Sequence, residues 1–572
     1  MDRERVRELV SRHQFALLLS VVAFCAMVFG TWRIAPHLTV PDEAAAVQKS
    51  LQMGYSRNPF PRTFKKGGNL HLYLLAVSVA PVALWWVVSG QLTAIRSAAS
   101  GLPSEPSWDL PPELLGAFYD AMFAGRVLSA LFAAATVFVV YLVTRELRGE
   151  QSGLVAGATL TVSAGFILAA HYATEDAVLS FMVVATLFLL VRARESDVHR
   201  SRWLLAAAVA LGLATSAKAT GGLLVIPVAL VIIESYRDSL SELVTFVRET
   251  WVYPAVALTA YLVTTPSVLV HPTAWLDEIF RYSSNVAGLN VTYSWGEPAW
   301  LVQLGHLAVA SGLPLFLLTI AATATVIWLL ARDRVDRSLW LLLSFVVPYA
   351  LVISRGKMAQ YPRVIPMLPI LAVFVGVGFG RVVRARPLVR RSVLGVVALT
   401  FVFSAVYAGA GVVDFNQSRS EATEWSEDAF DSGDEVSVYA QRVYLPEFPE
   451  TVTVSRHEIH SGNEEADWRP HLERLACNEP EHVVLSSYHY RRFFKDPSTY
   501  PAVTEQFRRL LNEEGYRIVE RFGPPIQTEV STGSNVRASL SPETHKLDGN
   551  PTIVVLERTA EPDSDCNTSA ST

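Results

Sequence analysis

Residues 203–234 read WLLAAAVALGLATSAKATGGLLVIPVALVIIE. A helix needs about 20 apolar residues to cross the hydrocarbon core of a membrane, within a range of about 17–25. This stretch is therefore either one long helix or two short ones hinged at Ser216-Ala217-Lys218-Ala219-Thr220-Gly221-Gly222. The choice sets the side of the membrane on which everything after it lies. A lysine at mid-membrane costs about 2.5–3.5 kcal/mol on insertion scales. Lys218 therefore calls for a partner or a bound anion.

Working outward, clear spans lie near 15–33, 127–145, 152–170, 177–192, 251–270, 305–331, 338–354, 363–382 and 392–413. Residues 70–90 (LHLYLLAVSVAPVALWWVVSG) either cross or lie at the interface. The positive-inside rule arbitrates. If 70–90 does not cross and 203–234 crosses twice, the cytoplasmic segments are the N-terminus, 145–151, 192–203, 234–250, 332–337 and 381–391. These carry 4, 2, 4, 2, 3 and 5 arginines. A crossing at 70–90 puts the 192–203 arginines outside. A single helix over 203–234 puts the cluster from Arg381 to Arg391 outside. The expectation is eleven spans in a plasma-membrane protein, N-terminus cytoplasmic and C-terminus extracytoplasmic. In that arrangement 70–90 lies in the interface, with Trp85 and Trp86 at headgroup depth.

Composition agrees. Of 572 residues 51% are hydrophobic and only 18% charged, against about 25% charged in soluble chains. From Val413 onward there are 15 Lys+Arg against 29 Asp+Glu, a net of −14, and before it 33 against 24, a net of +9. The acidic exterior disfavours nucleic acid as a partner. The organisation read from these patterns is a cytoplasmic 1–14, a membrane domain over 15–413 with a first external loop at 34–126, a soluble domain over 414–559 and a disordered tail at 560–572. The soluble domain alternates candidate strands (435–439, 482–486, 517–522, 552–556) with an amphipathic helix over 500–514. That is the pattern of a small α/β or α+β domain. The sequons at Asn290, Asn416 and Asn567 all fall outside under this topology. Cys25 reads as a small packed hydrophobe, and Cys477 and Cys566 are left as a possible pair.

The external side collects polar groups beside spans: Asp42-Glu43 after Pro41, and Glu175-Asp176 at the entrance of the 177–192 span. Near them come Lys65, Lys66, Arg126, Lys218, His271, Arg355, Lys357 and Arg363. A carboxylate there can serve as a general base for an acceptor hydroxyl or amine. Cations can hold an anionic leaving group such as a phosphate. The plainer readings are that the carboxylate pairs open helices and that Lys65, Lys66 and Arg126 snorkel to headgroups. There is no HExxH, GxSxG, Cys/His metal cluster or phosphate-cradling glycine loop. Gly376-Val377-Gly378-Phe379-Gly380 sits inside a span, where it reads as helix packing. No cofactor is implied, no metal ligands are assigned, and dependence on a divalent ion stays open.

Over residues 15 to about 410 the ordered set of these elements resembles the GT-C membrane glycosyltransferases, specifically the dolichyl-phosphate-mannose protein mannosyltransferase and aminoarabinose transferase group (glycosyltransferase family 39-like). The elements are Pro41-Asp42-Glu43, Phe64-Lys65-Lys66 with Leu72-Tyr73-Leu74, Arg126 opening its span, Tyr172-Ala-Thr-Glu-Asp176, Ser216-Ala-Lys218-Ala-Thr-Gly, and Tyr361-Pro-Arg363 running to Pro369. The resemblance implies inverting transfer of a monosaccharide from a polyprenyl- or dolichyl-phosphate donor to a protein, glycan or lipid acceptor on the external face. It implies Asp42 as the catalytic carboxylate, Glu43 as its positioning neighbour and Asp176 as a second carboxylate. Lys65 or Lys66, Arg126 and Lys218 would surround the lipid phosphate, with Tyr361 and Arg363 on the donor side. The chain departs from the pattern at Lys66-Gly-Gly-Asn-Leu, where the group has a basic-Pro-Pro-Leu-like stretch, so which lysine meets the phosphate stays open. The roles of Tyr361 and Arg363 stay open too, because of the order Tyr361-Pro362-Arg363. A transporter or lipid flippase, and a non-catalytic membrane scaffold, are the alternative readings.

Overall fold

The computed structural model describes residues 11, 13–32, 41–62, 64–100, 112–287, 295–332, 338–356, 359–382, 386–415, 417–440, 442–457, 465–477, 480–541 and 549–560. The sequon asparagines Asn290, Asn416 and Asn567, with Lys357 and Cys566, lie outside them. The chain is mostly helical. It opens with α1 (Gln14–Val28), α2 (Pro41–Tyr55), α3 (Leu70–Val88), α4 (Leu92–Ser100), α5 (Pro112–Arg148), α6 (Glu150–Thr161) and α7 (Ala164–Ala170). Next come α8 (Glu175–Glu195), α9 (Arg200–Ala217), a 3-10 turn at Ala219–Leu224, α10 (Val225–Ser235), α11 (Leu243–Thr250) and α12 (Val252–Thr264). The short α13 (Ser267–Val270) leads to α14 (Pro272–Ala287), α15 (Ala299–Ser311), α16 (Leu313–Leu330), α17 (Leu339–Ile353), a 3-10 stretch at Tyr361–Met367, α18 (Leu368–Val382) and α19 (Pro387–Val413).

Among the described residues six helical segments are long and apolar enough to cross a membrane, and a seventh counts if α6 and α7, bent by 65° at their break, form one span. Length alone therefore does not reach the eleven spans expected. The physical reason is that α1, α12, α15, α17 and the segment Ala219–Ser235 are apolar but only 10–17 residues long. α3 is among the long ones. It shares a hydrophobic core with the first turns of α5 (Leu114 to Met122) and with strands of the C-terminal sheet, and it exposes Val77, Leu84, Trp85 and Val88 on its other face. Cys25 is free and exposed on α1, not packed as the sequence reading had it, because Ala16, Ala23 and Met27 form that helix's buried face.

The helix ends gather at two poles. At one, Lys66 and Lys218 reach Glu175 and Asp176 at the start of α8, Ser216 at the end of α9 bonds Thr265 after α12 (2.6 Å), and the His171 ring lies 4.7 Å from that of Phe415 after α19, tilted by 52°. At the other, Arg145 of α5 lies 3.3 Å from His13, and Arg194 near the end of α8 bonds Glu234 at the end of α10 (2.8 Å) and Ser338 before α17 (3.3 Å). The segment 203–234 is thus a hairpin that rises to Lys218 and returns. Lys218 itself is extended (φ −161°, ψ 134°).

Close helix approach relies on small residues, as packing inside lipid requires. A Cβ on Gly376 of α18 would lie 2.4 Å from the Ser152 carbonyl oxygen of α6, so the Gly376–Gly380 run serves helix contact.

After α19 come α20 (Gln417–Ala429), α21 (Glu465–Ala476), α22 (Ser487–Phe494), α23 (Pro501–Leu511) and α24 (Thr532–Ala538) around a sheet of β1 (Glu435–Val438), β2 (Thr453–Arg456), β3 (His482–Ser486), β4 (Tyr516–Phe522) and β5 (Ile553–Arg558). The order is β2-β1-β3-β5-β4. β1 is parallel to β2 and β3, and β5 antiparallel to β3 and β4. The edge strand β2, half exposed along its length, escaped the sequence reading. The unit is bolted to the helices through Thr532, whose Oγ1 donates to Glu297 (2.7 Å), and through the Leu313 N–H on the Ser539 carbonyl (2.9 Å).

Gly376→Ala should lower stability by about 1–3 kcal/mol through overpacking against a backbone oxygen. Gly116→Ala, in open space on α5, should be neutral or stabilising by up to about 1 kcal/mol. Thermal unfolding of the two purified variants in one detergent tests both signs.

Candidate functional site

The site begins with a tight turn. Lys65 and Gly68 exchange both backbone hydrogen bonds (3.0 and 3.2 Å), while Lys66 and Gly67 take φ values of 50° and 97°. Positive φ at both central residues is the type I′ pattern, costly for lysine and free for glycine. The surroundings over-determine it. The Lys66 N–H donates to Glu278 of α14 (3.0 Å), and the Gly67 carbonyl accepts from the Tyr261 hydroxyl (2.8 Å) and the Trp275 indole (3.2 Å). The Lys66 carbonyl accepts from the Ala219 N–H (2.9 Å). A Cβ on Gly68 would sit 2.1 Å from the Ser216 carbonyl oxygen. The turn is thereby pressed onto the break between α9 and its 3-10 continuation.

Three lysines and three carboxylates alternate across this junction. Lys65 Nζ meets Asp42 Oδ1 at 2.9 Å, and Lys66 Nζ meets Asp42 Oδ2 at 2.9 Å and Glu175 Oε1 at 2.5 Å. Lys218 Nζ meets Glu175 Oε1 at 3.3 Å and Asp176 Oδ1 at 2.6 Å. The Asp42 side chain is 56% exposed and that of Glu175 0%, so the chain of charges runs from an open mouth to a sealed floor. Formal charges cancel. The sequence holds seven lysines against 41 arginines, and three of the seven are here. Compact ammonium groups, not forked guanidiniums, are therefore the cations this junction uses.

Desolvation on its protein side raises the half-exposed Asp42 carboxyl, but Lys65 and Lys66 outweigh it and hold it well below the usual range. Burial likewise lowers Lys66, and Asp42 with Glu175 outweighs that and holds its ammonium charged.

Glu43 and Arg126 do not join this chain. Both side chains are fully buried, and Arg126 Nε and Nη2 each lie 2.7 Å from the Glu43 carboxylate. Arg126 also donates to the Thr31 carbonyl (3.1 Å) and stands 5.4 Å over the Phe415 ring. Glu43 accepts the Ala173 N–H at 2.7 Å, while the Ala173 carbonyl faces His71 Nε2 at 3.0 Å. The pair thus fixes α2 against the loop that delivers Glu175 and Asp176. The sequence reading put Arg126 among the phosphate cations; the geometry commits it to Glu43.

Arg363 is buried, its carbonyl accepting from the Tyr349 hydroxyl (3.0 Å). Tyr361 lies away from the cluster, its ring 6.2 Å from His306 and its hydroxyl against Gly165. His271 lies at the break between α13 and α14, its N–H on the Ser267 carbonyl (2.7 Å), and joins none of these contacts through its backbone. Glu175, noted in the sequence without a role, is central. Glu278, Tyr261 and Trp275 gave no local signal, because they act on backbone atoms far away in the chain. Among the described residues no group of three His, Cys, Asp or Glu side chains is arranged to hold a metal ion.

Residues 115–269 match the family model for dolichyl-phosphate-mannose-protein mannosyltransferase. The oligosaccharyltransferase AglB from Archaeoglobus fulgidus, solved with an inhibitory peptide and a dolichol-phosphate, superimposes over 95% of this chain and 88% of its own, with a TM-score of 0.52 at 10% identity. The fold is GT-C. The same enzyme tethered to an acceptor peptide containing the NVT sequon covers 96% and 88%, with a TM-score of 0.50 at 11% identity. ArnT from Cupriavidus metallidurans bound to undecaprenyl phosphate covers 95% and 97%, with a TM-score of 0.48 at 14% identity. No curated protein sequence matches. The family match spans α5 to α13, and so contains Arg126, Glu175, Asp176 and Lys218 but neither Asp42 nor the lysine turn.

Breaking the Glu43–Arg126 pair leaves a buried charge without its partner. Arg126→Met should therefore cost about 3–5 kcal/mol, and Glu43→Gln with Arg126→Met together less than the sum of the two. Thermal unfolding of the single and double variants measures it. A carboxyl held below its ordinary value of 3.8 stabilises the fold above that pH and ceases to as pH falls through the lowered value. Asp42→Asn should then differ from wild type in melting temperature near pH 6 and converge with it under strong acid. Equal pH dependence would show that the lysine contacts are screened away.

Proposed function

We propose that this GT-C chain is an inverting glycosyltransferase, moving a monosaccharide from a polyprenyl- or dolichyl-phosphate donor to an acceptor on the external face of the membrane. The observation that carries the reading is the run of three lysines and three carboxylates at one pole, opening at Asp42. The mannosyltransferase match over residues 115–269 supports it. So does the shared fold with AglB, which was solved holding dolichol-phosphate. We place this pole outside. The opposite pole carries Arg145, Arg148, Arg192, Arg194, Arg200, Arg237 and Arg381, the bias of cytoplasmic segments. Alternation of helix ends between the poles fits eleven crossings, counting α6–α7 and α15–α16 once each and leaving α3 at the interface.

In this reading Asp42 takes the proton of the acceptor hydroxyl or amine. The freed lone pair forms a bond to the anomeric carbon on the face opposite the lipid phosphate, whose C–O bond breaks, inverting the centre. Lys66, Lys65 and Lys218 neutralise the charge that develops on the leaving phosphate in a site closed to water from below. Asp176, held by Lys218, keeps that lysine in place. Glu43 and Arg126 hold α2 so that Asp42 faces the mouth. The sugar and the acceptor are left to experiment.

A strain lacking the chain, rescued by wild type or by Asp42→Asn, provides the test. Mass spectrometry of surface glycans and of polyprenyl-phosphate sugars should show Asp42→Asn inserted normally, transfer down by about 100-fold or more and the lipid-linked donor accumulating. Full rescue by Asp42→Asn would remove the base role and favour a scaffold or transport function.

A further inference from the structure

Two carboxylates compete for one ammonium. Lys66 Nζ stands between Asp42 Oδ2 at 2.9 Å and Glu175 Oε1 at 2.5 Å. They differ in setting, since Asp42 is open to the mouth and Glu175 sealed beneath it. The Lys66 backbone is fixed from three sides by Glu278, Ala219 and the contacts of Gly67, so only its side chain is free to exchange partners. Glu175 is also the carboxylate shared by lysines from two separate segments, the 65–68 turn and the break at Lys218.

On the function proposed above, we infer that Glu175 is a positioning residue that aims Lys66 at the phosphate of the lipid-linked donor. An anion entering at the mouth draws Lys66 off Asp42, and Glu175 keeps the ammonium within reach from below. Asp42 then loses one of its two cationic partners only when the donor is in place. It becomes a competent base at that moment, and is quenched when the site is empty. Simple electrostatics predicts the opposite effect on binding. Glu175 is a negative charge close to an anion, so removing it should tighten phosphate binding if charge alone mattered.

Binding of polyprenyl monophosphate, without sugar, to the full chain in nanodiscs separates the two. Lys66→Met and Glu175→Gln should each weaken it about tenfold, the scale of one charge-assisted hydrogen bond. Glu175→Gln added to Lys66→Met should cost nothing further, because one acts through the other. Glu175→Asp keeps the charge but retracts it by one methylene. It should weaken binding about threefold, and it decides the matter if Glu175→Gln is not recovered folded. Unchanged binding in Lys66→Met would sink the donor-site reading itself. With Lys66→Met weakened, equal or tighter binding in Glu175→Gln, additive losses in the double variant, or wild-type binding in Glu175→Asp would each overturn the role of Glu175 alone.

Discussion

A charge that enters an apolar layer must bring its partner with it. Lys218 obeys this constraint through Asp176 at 2.6 Å, and much of the site's architecture follows. The helix break at Lys218 also frees backbone groups, which hydrocarbon cannot satisfy. The Lys65–Gly68 turn fills that role by accepting the Ala219 N–H, and in doing so carries two further lysines to the same place. Those lysines require carboxylates, supplied by Asp42 and Glu175. The cluster is thus a consequence of pairing rules applied in turn, each solution importing the next demand.

Behind it, the Glu43–Arg126 pair works differently. It is fully sealed, bidentate and capped by Phe415. Pairs of this kind contribute little net stability but penalise any arrangement that separates them. Here that penalty falls on misplacement of α2 against the 171–176 loop, the two segments on which Asp42, Glu175 and Asp176 ride. The C-terminal unit reaches the same spot, since Phe415 leads directly into it, so the sheet-bearing and helical parts share a foundation beside the charges.

Much of this was legible in the sequence, for reasons that can be named. The hinge at Lys218 was visible because an apolar run of that length cannot hide a lysine and two glycines. Four of the five strands were visible from β-branched runs with turn residues between them. The edge strand β2 was not, because it is short and half exposed. Asp42, Lys65, Lys66, Asp176 and Lys218 were singled out by lying at span ends on one side, and they meet. The pairing of Arg126 with Glu43 was not legible, because a sequence shows a cation's position along the chain but not which carboxylate claims it. Glu278 and the Tyr261–Trp275 pair were invisible, since what they recognise is backbone shape. The span count also escaped confirmation by length, because several apolar helices are broken or short where they carry polar groups.

Every member of the charge cluster comes from the first 218 residues. During synthesis Asp42 emerges first, then the lysine turn, then the carboxylates at the start of α8, then Lys218 on the returning α9. Lys65 and Lys66 find Asp42 already delivered, Glu175 finds Lys66, and Lys218 finds Asp176. The order of translation therefore doubles as an order of neutralisation. The remaining helices and the C-terminal unit are then added around a centre that is already electrically complete.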